Sequence, residues 1–239
     1  MKITTINTIE LSSKCDNQCP YCPAKDQHRF RETGFMSMDT FGKAVDWALH
    51  FARQGTQQEI NLFGIGEPTL NPELVKMVQY ARQILPFKQI LHLNTNGNTM
   101  TRELAIKLKE AGITSVDITA HKARAAAETI RIFRDVGIPG QISLDFVTNP
   151  NDWAGQVDWL KYEGPKMPCP WLHVGQATIQ SDGVVTVCCW DAWQQGKMGV
   201  VSDDLTELEI EPFNLCKTCH QKPLKIITES TNNIIDALK

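Results

Sequence analysis

Apolar and polar residues alternate loosely over residues 3–11, with several β-branched side chains among them, and the pattern predicts a strand. After residue 39 the period changes: Phe41, Ala44, Val45, Ala48, Leu49 and Ala52 fall on one helical face, and Gly55 supplies a stop. The two patterns then alternate. Short apolar runs at 59–63, 90–93, 115–119 and 142–147 read as strands. Helices are predicted from Asn71 as N-cap with Pro72 in the first turn, over 101–111 ending at Gly112, over 122–136 ending at Gly137, and briefly over 152–162. Strand-to-strand spacings of about thirty residues indicate βαβ units and a parallel sheet. Five such units fall short of the eight of a closed barrel. The expected fold is therefore α/β, a partial (β/α) barrel of five to six parallel strands.

In such sheets the carboxyl ends of the strands carry the site. The unusual polar clusters of this chain sit there: KCDNQCPYCP at 14–23, GIGEP at 64–68, NTNG at 94–97, and Ala120-His121. The first cluster sets Cys15, Cys19 and Cys22 within eight residues, too crowded for ordinary folding work. Thiolates are soft ligands that select zinc or iron–sulfur clusters, and three of them leave a fourth metal position open. His28 alone is near enough in sequence to close the site as a zinc knuckle, but knuckles favour paired CxxC spacings.

Composition narrows the partners. The 239 residues carry 24 Lys+Arg against 27 Asp+Glu, a formal charge of −3, which gives no electrostatic footprint for nucleic acid or an anionic membrane. No apolar run is long enough to span a bilayer, and the first residues lack a secretory h-region, so a cytoplasmic protein is expected. All eight cysteines are clumped rather than scattered, as in metal binding and not as in disulfide stapling.

After Gly164-Pro165 helical patterning stops, which divides the chain into 1–163 and 164–239. Residues 177–180, Ser181-Asp182-Gly183 and 184–187 predict a β-hairpin with Cys169 before its first strand and Cys188 after its second. Cys216 and Cys219 add a CxxC pair, and four thiolates describe a closed site, either zinc or [4Fe–4S]. Cys189 is left over.

The CxxxCxxC segment following a strand resembles the signature of the radical S-adenosylmethionine (SAM) superfamily. The resemblance implies that Cys15, Cys19 and Cys22 hold a [4Fe–4S] cluster whose open iron is chelated by SAM. One-electron reduction then yields methionine and a 5′-deoxyadenosyl radical. It further implies that Tyr21 lies near the adenine, and that Gly64, Gly66 and Glu67, a variant of the family's GGEP segment, meet the methionyl ammonium. Asn94 and Asn96 would face the ribose or carboxylate, although NTNG is also ordinary turn chemistry. His121 would face SAM or substrate, or cap its strand.

The pattern Cys169, Gly183, Cys188, Cys216, Cys219 resembles the twitch domain, the shortened relative of the SPASM domain, which implies an auxiliary [4Fe–4S] cluster. Aminocyclitol dehydrogenases of butirosin biosynthesis and anaerobic sulfatase-maturating enzymes carry such domains. By that likeness the function is two-electron oxidation of a small hydroxylated metabolite, with an electron donor such as flavodoxin or ferredoxin and Asp191 as proton acceptor. Modification of a peptide side chain is the nearest alternative, and a non-catalytic zinc or iron–sulfur protein the third.

Overall fold

Strand β1, Thr5–Ile9, buries Ile6 and Ile9 completely and is the middle of the main sheet. On one side it is followed in space by β2 (Glu59–Leu62), β3 (Ile90–Thr95), β4 (Ser115–Thr119) and β5 (Gly140–Ser143), each parallel to its neighbour. The connecting helices are α1 (Met38–Gln54), α2 (Leu74–Ile84), α3 (Arg102–Ala111) and α4 (Ala123–Val136). Right-handed crossovers in a sheet that grows in one direction put all four on the same face. There Phe41, Ala44 and Phe51 of α1 join Ile60, Leu62, Leu91 and Leu93 in one core. The computed structural model describes residues 1–144, 152–160, 167–204, 208–219 and 221–222. No helix among them is long and apolar enough to cross a membrane.

Helix ends follow local chemistry. Ser37 and Thr101 accept backbone N–H bonds from Thr40 and Leu104 as N-caps, and Gly55 and Gly112 end α1 and α3 at φ 79 and 97. Helix α2 starts at Leu74, and Asn71 caps the turn that leads into it. Its Oδ1 accepts from the Glu73 N–H at 2.9 Å, and its Nδ2 donates to the carbonyls of Leu11 and Met36. Asn71 thus ties the helix entry to the end of β1.

On the other side of β1 the sheet continues. Past the two-residue strand β6 (Met167–Pro168) and the single turn α5 (Pro170–His173), strand β7 (Gln176–Ile179) lies parallel to β1, with Thr5 opposite Gln176 and Ile9 opposite Ile179. Strands β8 (Val184–Thr186) and β9 (Lys197–Val200) then add antiparallel neighbours. The partial barrel thus has six parallel strands, and the predicted hairpin, turning at Gly183 with φ 84, extends the same sheet across the expected division at 163. A short helix, α6 (Asn214–Thr218), and β10 (Gln221–Lys222), paired with β6, follow.

Two predicted elements differ. The fifth strand is Gly140–Ser143 rather than 142–147, with 145–147 outside the described residues. The helix expected over 152–162 is only a 3-10 turn, Trp153–Gly155, and 161–162 lie outside the described residues. Trp153 and Ala154 sit at φ 50 and 59, which no right-handed helix accommodates.

One charged group is buried where the two sides of the sheet meet. Glu10, just past β1, is paired with Arg31 at 2.7 Å, both side chains almost wholly excluded from solvent. Glu10 also accepts from the N–H groups of Ile65 and Ser181, and Arg31 donates to Gln27 and Gln180. Burial alone would raise the Glu10 pKa, but Arg31 and the two backbone N–H groups hold it below the usual carboxylate value. Its stabilising effect is therefore complete above the unfolded carboxylate pKa, about 4.3, and is lost as pH falls through the lower folded value. Arg31→Met, which leaves the Glu10 charge alone in the interior, is expected to cost about 3–5 kcal/mol in denaturant unfolding at neutral pH. The deficit should shrink on acidification, as Glu10 becomes neutral.

Candidate active site

Beyond β1 the chain makes a loop that returns to pair Ser12 with Phe35, and two 3-10 turns, Pro23–Lys25 and Gln27–Arg29, shape its interior. Cys15, Cys19 and Cys22 all line one open cavity of ≈ 120 Å³ at the carboxyl ends of β1 to β4. The Cys22 N–H bonds the Cys19 carbonyl, which closes the CxxC turn, and the Asn17 N–H reaches Cys15 Sγ at 3.4 Å. Burial raises the pKa of Cys15 and Cys19 and pushes Cys22 up to about 12. His28 is exposed on the second 3-10 turn and is not part of the cavity wall, which leaves the trio without a local fourth ligand.

Gly64 and Gly66 line the same cavity, for a reason the sequence did not disclose. A Cβ on Gly66 would lie 2.3 Å from the Ser12 carbonyl oxygen and 2.5 Å from that of Lys14, and one on Gly64 would meet the Glu10 side chain. The glycines let this turn press against the cysteine loop. The Glu67 N–H then bonds the Lys14 carbonyl at 2.8 Å. The Glu67 carboxylate, also in the wall, is engaged by protein donors. It accepts from the Thr69 N–H and hydroxyl, from the Thr95 hydroxyl at 2.7 Å and from the Asn96 N–H at 2.7 Å. Burial raises its pKa against those hydrogen bonds. What remains for a ligand's ammonium is the backbone of the turn.

Asn94, Asn96 and His121 complete this side of the cavity. Asn94 Oδ1 accepts from Thr119, which holds the β3 and β4 ends together. Asn96 Nδ2 donates to Asp16 at 2.7 Å, and Asn98 Nδ2 donates to Asp16 and to Asn17 Oδ1, each at 3.0 Å. Asp16 and Asn98 were missed in the sequence; paired with Asn96, they fasten the cysteine loop to the β3 end. Tyr21 OH lies 2.7 Å from His121 Nδ1, and the two rings stack at 5.8 Å. Desolvation lowers the His121 pKa and raises that of Tyr21. The pair forms a stacked part of the wall, and among the described residues lining the cavity the Lys and Glu side chains are Lys25 and Glu67.

A second, apolar cavity is lined by Cys169, Cys188, Cys216 and Cys219 together with Trp171 and Trp190. Cys169 precedes α5, Cys188 follows β8, and the CxxC pair comes from α6 and its end, so three separate segments converge as the hairpin reading required. Cys189 is not in the wall, and no cysteine of the chain is in a disulfide. Among the described residues no three ligating side chains already stand at the spacing of a single chelated ion. Asp191 lines neither cavity. Its buried carboxylate accepts from the N–H groups of Gln195 and Gly196 at 2.9 and 2.7 Å, which fastens the loop between β8 and β9.

Between the cavities stands the Trp153–Gly155 turn, with Trp153 in the wall of the first and Ala154 in the wall of the second. Its two left-handed non-glycine residues cost roughly 1–3 kcal/mol each, a burden that persists only where surrounding structure enforces it.

The first cavity fits a metal-bound, polar ligand on its own evidence: three sulfurs, a glycine turn offering backbone, and a buried Asn17 Nδ2 with no hydrogen-bond partner among the described residues. Residues 9–148, more than half of the chain, match the family described as the Radical SAM superfamily. The chain belongs to the radical SAM superfamily. Membership brings a [4Fe–4S] cluster and SAM, and Cys15, Cys19 and Cys22 stand where the cluster would be held. Similar radical SAM relatives include the tungsten-containing aldehyde ferredoxin oxidoreductase cofactor-modifying protein of Pyrococcus furiosus, 34% identical over 105 residues. A probable GTP 3′,8-cyclase of Pyrococcus horikoshii is 34% identical over 111 residues. These matches take in 44% and 46% of this chain but only 27% and 32% of the relatives' own lengths. Among solved structures, BtrN in complex with AdoMet and 2-DOIA is similar at a TM-score of 0.66 and 21% identity, over 86% of this chain and 85% of that one. At that identity the likeness is one of fold.

Gly66→Ala tests the close approach of the two loops. The added methyl must displace backbone of the cysteine loop, so a loss of about 1–3 kcal/mol is expected. The melting temperature should fall by several degrees, and less iron should be retained after reconstitution.

Proposed function

We propose that this radical SAM protein is an oxidoreductase that removes two electrons from a small hydroxylated metabolite, using the first cavity for SAM and the second for an auxiliary [4Fe–4S] cluster. The observation that carries the reading is the convergence of Cys169, Cys188, Cys216 and Cys219 on one apolar cavity, whose wall includes Ala154, the residue next to Trp153 of the first cavity. When bound, the first cluster and SAM supply the 5′-deoxyadenosyl radical that takes a hydrogen atom from substrate, and the auxiliary cluster accepts the second electron.

The chain's own residues do the rest. The backbone of 64–66 and the Asn17 amide face the polar end of SAM, while Asn94 and Asn96 sit where ribose hydroxyls need partners. The stacked Tyr21–His121 pair offers the adenine a flat surface. After hydrogen-atom loss, conversion of an alcohol carbon to a carbonyl releases one electron and one proton. Asp191 does not face the substrate side, so its part is to hold the loop that carries Cys188 and Trp190, and the proton leaves through the open mouth of the first cavity. A low-potential donor such as flavodoxin or ferredoxin would deliver the first electron.

Iron and sulfide counting after anaerobic reconstitution is expected to give about eight irons per chain, two cubanes, and about four if the C-terminal site takes zinc. Cys19→Ala should abolish 5′-deoxyadenosine formation. Cys216→Ala should retain SAM cleavage yet form no oxidised product. Full turnover by the Cys216 variant would overturn the electron-acceptor role.

A further inference from the structure

We propose that the Tyr21 hydroxyl, held in place by His121, donates a hydrogen bond to the sulfur of Cys19, and that Tyr21 is thereby a positioning residue that tunes the reduction potential of the cluster held by the first three cysteines. The proposal depends on the first cluster alone and is independent of what the second cavity holds.

Local sequence brings the phenol to the sulfur. Cys19 and Cys22 are the ends of a turn closed by the bond from the Cys22 N–H to the Cys19 carbonyl at 3.1 Å, and Tyr21 stands inside it. The Tyr21 hydroxyl is in hydrogen-bond contact with Cys19 and lies 2.7 Å from His121 Nδ1. The imidazole also stacks on the phenol ring, 5.8 Å between centroids and 28° between planes. His121 is fixed in turn at the end of β4, where its N–H bonds the Thr119 carbonyl at 2.8 Å. The strand end therefore holds the imidazole, and the imidazole holds the phenol.

Counting protons decides which way each bond runs. A phenol has one proton to give, and Cys19 and His121 compete for it. A cysteine that ligates iron is a thiolate, and a charged acceptor makes the stronger bond. The 2.7 Å contact is then made by His121, with Nδ1–H donating to the phenol oxygen, an assignment that follows from the hydrogen-bond network. Burial supports it by favouring the neutral imidazole, which carries one proton for that contact. Two further charges bear on the same sulfur: Lys122, the residue after His121, favours its thiolate and Asp16 opposes it. The other two sulfurs have donors as well, Cys15 from the Asn17 N–H at 3.4 Å and Asn96 Nδ2 at 3.9 Å, and Cys22 from the Ala24 N–H. Reduction adds one negative charge to a cluster, and donors aimed at its sulfurs stabilise that charge, so each makes the potential less negative. Tyr21 is the donor of this set that can be removed with its ring left in place.

The test uses the full chain, loaded anaerobically, with the first cluster identified as the EPR signal that changes when SAM is added. Tyr21→Phe removes the hydroxyl and keeps the ring. Its midpoint potential is expected to shift to more negative values. One exchangeable-proton coupling, seen by ENDOR in H2O and absent in D2O, should disappear relative to the parent. His121→Leu, which leaves the hydroxyl without its holder, should shift the potential in the same direction by less. Where the Phe variant takes up iron poorly, 3-fluorotyrosine at position 21 keeps the bond with a more acidic donor, and the potential should move the opposite way. A parent-like potential in iron-loaded Tyr21→Phe, with every exchangeable coupling retained, would overturn the hydrogen bond, and so would an unmoved potential in the fluorotyrosine chain. Either result leaves the two-electron oxidation to be decided by Cys216→Ala. A chain with no SAM-responsive signal overturns both.

Discussion

A carboxylate and a guanidinium buried together at the end of β1 hold the site in register. Glu10 and Arg31 are both removed from water, and each would be costly alone. Their remaining hydrogen-bonding capacity is spread over separate pieces of chain: Ile65 in the glycine turn, Ser181 in the hairpin turn, Gln27 in the cysteine loop and Gln180 at the end of β7. Gln180 passes the connection on, donating to the Asp191 carbonyl at 2.6 Å. The loops of both cavities are therefore built out from one neutralised pair. A weaker pair on the surface could not impose such order, because solvent would compete for every donor.

This arrangement explains why the two cysteine-lined cavities are built on one sheet. Strand β7 pairs with β1 over their full length, so the segment carrying Cys188 is as firmly based as the barrel strands. The second cavity inherits the geometry of the first. The division expected near residue 163 marks a change of pattern, from alternating strands and helices to a hairpin, and strands from both sides of it share the sheet.

Much of the barrel was legible because its signals are local. Helix periods, glycine stops and the CxxxCxxC and GIGEP segments each announce themselves within a few residues, and the structure places Cys15, Cys19, Cys22, Gly64, Gly66, Asn94 and Asn96 around one space. What was not legible depends on pairing at a distance. Arg31 is an ordinary loop arginine until Glu10, 21 residues earlier, is seen beside it. Asp16 and Asn98 gain their meaning from each other, 82 residues apart. Gly64 and Gly66 were read only through the ammonium they would meet, and their close approach to the Ser12 and Lys14 carbonyls and the Glu10 side chain could not be seen in the sequence. The apolar spacing of Trp153, Val157 and Leu160 imitates a helix, and only the enforced left-handed turn, with its tertiary hydrogen bonds, prevents one. Asp191 followed from analogy of position, and its engagement with the β8–β9 loop depends on a fold that position alone does not specify.

The central place of β1 has a consequence for how the molecule is made. Its partner on one edge, β2, emerges early, but Thr4 and Gly175, which meet at the start of the other edge, stand 171 residues apart. During synthesis that edge stays bare, a row of unpaired N–H and C=O groups open to wrong partners, until residues 176–179 have left the ribosome. The cysteine loop crowns the same strand and lacks its Gln180 and Ser181 contacts for as long. Maturation is thus ordered in time: the barrel can collapse first, but the loop that would take iron gains its last supports only when the hairpin docks.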